Sequence, residues 1–71
     1  MNRKSAVWVV IQMARSEKRA RDILDRLSGE GFLINLRAVP GEISQGEQVY
    51  EVLALSSEAK EARALLIRWG L

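Results

Sequence analysis

Residues 6–13, Ala-Val-Trp-Val-Val-Ile-Gln-Met, form a run with no charge, no proline and no glycine. β-Branched and aromatic residues dominate it, which suits a pleated strand. Such a run normally lies between two neighbouring strands, yet a chain of 71 residues offers few neighbours. A domain of this size buries only about 60% of the surface its unfolded chain exposes. The chain has no cysteine and no histidine, so disulfides and the usual zinc sites are excluded. A core this small rarely supplies more than roughly 3–5 kcal/mol, and oligomerisation is one of the few remaining supports.

After the first strand, Ser16 is a good N-cap and Glu17 favours the positive end of a helix. Ala20, Ile23, Leu24 and Leu27 recur at helical spacing and make one apolar stripe. The opposite face pairs opposite charges four residues apart: Glu17–Arg21, Lys18–Asp22, Arg21–Asp25 and Asp22–Arg26. Gly29 and Gly31 supply a left-handed termination. Residues 32–39 read as a second strand with Phe32, Ile34, Leu36 and Ala38 on one face and Leu33, Asn35, Arg37 and Val39 on the other. Pro40-Gly41 is expected to stop it, and residues 42–48 to form a polar hairpin loop around Gly46. A third strand follows over residues 49–55, its apolar run interrupted only by Glu51. Ser56 and Ser57, reinforced by Glu58, are expected to cap a second helix with its stripe at Ala59, Ala62, Leu65, Leu66 and Trp69. Gly70 and Leu71 end it.

This order, β-α-β-β-α in one domain over residues 1–71, predicts an α+β, ferredoxin-like sandwich. Two helices on one face of a three-stranded antiparallel sheet bury both stripes. Right-handed crossovers place the third strand between the others, giving the order 1-3-2 with the fourth strand missing. Trp69, Leu65, Leu66, Ile23, Leu24, Leu27, Phe32 and Ile34 are the expected core. The uncharged first strand becomes an open edge, which natural sheets normally cover or guard with charge or proline.

The segments Ala20-Arg-Asp-Ile-Leu-Asp-Arg-Leu-Ser-Gly-Glu-Gly-Phe32, Tyr50-Glu-Val-Leu-Ala-Leu and Ser57-Glu-Ala-Lys-Glu-Ala-Arg-Ala-Leu-Leu66 span most of this pattern. Together with the valine-rich first strand they resemble the small prokaryotic signal-transducing domains related in shape to the PII nitrogen regulators. That resemblance implies a regulatory or binding role and supplies no catalytic residues to carry over. Residues 40–48 occupy the place of the PII ligand-responsive loop, but they are short and hold no nucleotide-binding motif. Val9-Val-Ile-Gln12, a helix, and then Gly31-Phe32 is also similar to the peptidoglycan-binding SPOR repeat, which normally has a further strand and sits in exported proteins.

No residue set has the chemistry of an active site. Ser16, Ser56 and Ser57 lack a histidine base, Lys18 and Lys60 sit on solvated helix faces, and capping accounts for the serines. Glu17, Asp22, Asp25, Glu30, Glu58 and Glu61 lie on charged helix faces or ends. The glycines lack phosphate-loop spacing. Trp8 and Tyr50 are the types of residue an RNA-stacking sheet uses, but the surrounding residues do not match that motif.

The face turned away from the helices is expected to show Leu33, Asn35, Arg37, Val39, Glu51, Leu53, Leu55, Trp8, Val10 and Gln12. As a solvated face it would carry an Arg37–Glu51 cross-strand pair worth about 0.2–1 kcal/mol. Trp8, Leu33, Leu53 and Leu55 together exceed what lone exposed apolar residues make, which favours an interface.

A net charge of +2 from eleven basic and nine acidic residues gives little support to a nucleic-acid partner. Asn-Arg-Lys before an apolar run is a faint echo of a signal peptide, but no small-residue cleavage site follows. No stretch nears the ~20 apolar residues of a membrane span. The sequence therefore predicts a cytoplasmic, non-enzymatic regulatory or protein-interaction domain without a cofactor. It is expected to self-associate through Val7, Trp8, Val9, Val10, Ile11 and Gln12 as a homodimer. Leu33, Asn35, Arg37, Glu51, Leu53 and Leu55 are its expected open-face surface for a protein partner or small-molecule effector. The alternative is a nucleic-acid-binding module using that open face.

Overall fold

Strand β1, Trp8–Ala14, is the first element of a computed structural model that describes residues 7–71. Ala6, the expected first strand residue, lies outside the described residues. Helix α1, Glu17–Gly29, starts as its sequence dictates: the Ser16 side chain accepts a hydrogen bond from the Arg19 amide at 3.2 Å. It ends on a left-handed Gly31, where the Phe32 amide reaches back to the Leu27 carbonyl at 3.1 Å. Gly29 is an ordinary helical residue, so Gly31 alone makes the reversal. Of the four expected charge pairs on α1, only Glu17–Arg21 closes, at 3.0 Å.

Strand β2, Ile34–Ser44, runs through Pro40 and Gly41 instead of stopping before them. Proline is tolerated there because β2 is an edge strand, where a missing amide donor need not break a ladder. The expected seven-residue loop shrinks to Gln45-Gly46, since Ser44 pairs with Glu47. Both turn residues have positive φ, 53° and 82°, as a tight type I′ hairpin requires. The extra length is absorbed by a bulge: Ala38 pairs with Tyr50 and Ile43 with Gln48, leaving residues 39–42 opposite Val49. The Gln48 side chain closes this bulge, donating to the carbonyls of Val39 at 2.6 Å, Val49 at 3.0 Å and Glu42 at 3.3 Å.

Strand β3, Glu47–Leu55, is antiparallel to both neighbours, and the sheet order is β1-β3-β2. Helix α2, Ala59–Trp69, follows a turn. Ser56 and Ser57 do not cap it; Glu58 holds the N-cap position without a side-chain bond to the helix. Its carboxylate instead accepts the Leu33 amide at 3.3 Å, tying the start of α2 to the approach of β2. Left-handed Gly70 ends α2, with the Leu71 amide on the Leu66 carbonyl at 2.8 Å.

Both helices cover the same face. α1 lies mainly over β3 and β2, and α2 over β1 and β3. Between them Ile11, Ala14, Ala20, Ile23, Leu27, Val52, Ala54, Ala59, Ala62 and Leu66 form the core, with Phe32, Ile34, Leu65 and Trp69 packed against it. Leu24 was expected in the core but is only half-buried and stands outside that cluster. Arg26 of α1 stacks over the Trp69 ring at 5.4 Å, joining the two helices on their outer side. Among the described residues, no helix is long and apolar enough to cross a membrane.

Candidate functional site: the open face and free edge of the sheet

Alternation along β3 divides the sheet cleanly. Tyr50, Val52 and Ala54 face the helices, so Val49, Glu51, Leu53 and Leu55 face away. Register then places Trp8 beside Leu55, Val10 and Asn35 beside Leu53, and Arg37 beside Glu51 on that open face. Leu33, just before β2, is 60% exposed and lies where the same face would continue. The expected open-face residues are thus brought together.

One residue of the expected set is displaced. A bulge between Val10 and Gln12 sets Gln12 opposite Val52 and Met13 opposite Glu51. One extra residue flips every later side chain to the other face. Gln12 therefore turns to the helix side, and Met13, 51% exposed, takes its place on the open face. Ile11 keeps the helix-side position that alternation from Val9 gives it and lies in the core. Of the six residues expected at the β1 interface, Ile11 is buried and Val9 packs against the core; Val7, Trp8, Val10 and Gln12 keep accessible side chains.

The open face is not uniformly wet. Leu53 is only 5% exposed although no helix covers it. Its register neighbours Val10 and Asn35, with Glu51 and Leu55 along its own strand, close around it. Trp8 at 38% and Leu33 at 60% exposure flank this cluster. The polar element is the Arg37–Glu51 pair, with Arg37 Nε donating to Glu51 Oε1 at 2.7 Å. It contributes no net charge to the face. Trp8 and Tyr50 look in opposite directions, because Tyr50 packs against the helix-side core. A platform that stacks bases on both rings does not form.

The free edge of β1 is defined by the phase of its ladder. The Ser56 amide donates to the Val7 carbonyl at 2.8 Å. Antiparallel pairs alternate between bonded and non-bonded, so Val9 turns its backbone groups inward to β3. Trp8 and Val10 turn theirs outward. Arg63, from α2, takes one of these outward groups: its Nη2 donates to the Val10 carbonyl at 3.0 Å. Beside it, Ile11, Gln12, Leu66, Ile67 and Leu71 line a hollow of about 180 Å³ on the helix side. Sequence reasoning missed Arg63, Met13 and Gln48. Each is revealed only by the folded geometry: Gln48 reaches the bulge that holds Pro40-Gly41 through the hairpin pairing.

No protein-family model, curated protein or solved structure matches this chain. The resemblances to signal-transducing domains and to the SPOR repeat rest on their residues alone.

Proposed function

We propose that this chain is a non-catalytic protein-interaction domain, cytoplasmic and regulatory in use, that associates with itself through β1. The observation that carries this reading is the outward orientation of the Trp8 and Val10 backbone groups at an uncharged edge. The side chains of the same two residues continue the apolar open face. An added strand would pair with the backbone and extend that face in one step. The capping role of Ser16 and the exposed turn positions of Ser56 and Ser57 support a non-catalytic reading. The resemblance to small signal-transducing domains supports a regulatory one.

Sedimentation equilibrium of the wild type and Val10→Pro tests this. Proline at position 10 deletes an outward donor and leaves the bonds to β3 in place, so the fold should survive while association fails. The wild type should move from 8.0 kDa toward the dimer mass as concentration rises, and Val10→Pro should remain monomeric with an unchanged circular dichroism spectrum. A wild-type monomer at high micromolar concentration, with Trp8 and Val10 amides exchanging at the same rate in dilute and concentrated samples, would refute self-association.

A further inference from the structure

We infer that Arg63 is a latch on the β1 edge, competing with a second copy of β1 for the Val10 carbonyl. This rests on the reading of β1 as the self-association strand. In an antiparallel two-fold arrangement, Trp8 of one copy faces Val10 of the other. Each outward amide then meets an outward carbonyl, so the edge is complementary to itself. A second copy therefore fits without any new residue type.

One of those acceptors is already in use. The Arg63 guanidinium lies 3.0 Å from the Val10 carbonyl oxygen, on the side from which the second copy's Trp8 amide must approach. Arg63 takes part in neither ion pair found among the described residues, so no carboxylate holds it there. The bulge after Val10 ends the regular register, so pairing cannot slide toward Ala14 to leave Val10 and its latch behind. Opening it also clears the way to the neighbouring hollow and to Ile67, which is 78% exposed one turn further along α2. A symmetric dimer must open two latches. Association is accordingly held weak by a residue outside the strand.

The test compares dimer dissociation constants of the wild type, Arg63→Met and Arg63→Met/Val10→Pro by sedimentation equilibrium. Methionine keeps an apolar stem and good helix propensity while removing every donor; Arg63→Ala, checked by its melting curve, serves as a second variant. Losing a competing hydrogen bond should tighten association about fivefold per latch, or about 25-fold for two. Adding Val10→Pro should abolish that gain. The gain should persist in about 1 M salt, where a Debye length of about 3 Å removes simple repulsion between the copies' arginines. An unchanged or weakened dimer in both Arg63 variants, a gain that survives Val10→Pro, or a gain lost in high salt would each overturn the latch. If Val10→Pro disrupts a wild-type dimer but the Arg63 variants match the wild type, only the latch falls. If every variant is monomeric, the reading of β1 falls with it.

Discussion

Strand β2 guards its free edge with residues of its own, whereas β1 borrows a guard from α2. Along β2 stand Asn35, Arg37 and Pro40, and a four-residue bulge breaks the flat edge where Gln48 plugs it. These are devices that natural edge strands use against unwanted pairing. Between Val7 and Met13, β1 has no charge and no proline. Its protection consists of a bulge at Ile11 and the Arg63 side chain, fifty-three positions away in sequence. The difference teaches that an intrinsic guard is permanent, while a borrowed one can swing away. The edge that can open is the one proposed to bind a second copy.

Both edges rest on one core, and breaking that core gives the largest effect. Leu66, 2% exposed, anchors the α2 side beside β1, and Leu27, fully buried, anchors α1 over β3 and β2. Either leucine changed to alanine should cost about 2–5 kcal/mol, which threatens the whole fold of so small a domain. Leu24→Ala should cost under about 2 kcal/mol, because that side chain is half-buried outside the cluster. Urea midpoints decide the matter. Equal losses at Leu24 and Leu66 would contradict the packing described above.

A smaller effect separates the edges directly. Gln48→Ala leaves the Val39 carbonyl in the bulge without its 2.6 Å donor, at a cost of about 0.5–1.5 kcal/mol, since this half-buried edge lets water take the donor's place. The damage should stay local. Amide exchange should quicken around residues 39–48 and leave Trp8 to Ala14 unchanged. Equal acceleration in β1 would mean that the two edges are coupled, and the contrast between them would lose its basis.

Much of this architecture was legible because local signals agreed with one another. The serine cap, the helical stripes and the glycine after α1 each pointed to the observed elements, and the order 1-3-2 followed from right-handed crossovers. The Arg37–Glu51 pair was readable from alternation in two regular stretches. The failures share one cause: alternation can be counted only while a ladder is regular. A single extra residue at Ile11 exchanged Gln12 for Met13 on the open face. At Pro40-Gly41, residues that usually stop a strand were accommodated in an edge bulge, and the real turn used Gln45, which lacks the usual Asn or Asp signal. Arg63 was illegible for another reason. Its partner is a backbone carbonyl, and no side-chain pattern records where a carbonyl points.

The smallest expected effect sharpens what guards β2. Arg37 bridges from that edge to Glu51 on the central strand, while the residue facing Glu51 from β1 is the uncharged Met13. The Arg37 side chain is 63% exposed and that of Glu51 21%, so water screens much of the attraction. A double-mutant cycle with Arg37→Ala and Glu51→Ala should therefore return a coupling of only about 0.2–1 kcal/mol, shrinking as salt rises. If the pair matters chiefly for stability, the coupling should sit at the top of that range and both single variants should remain as monodisperse as the wild type. If the exposed charge itself keeps β2 from pairing, Arg37→Ala should add a concentration-dependent species that Val10→Pro cannot remove, even with a coupling near zero. A coupling well above 1 kcal/mol would show instead that the open face is drier than the exposure of Arg37 implies.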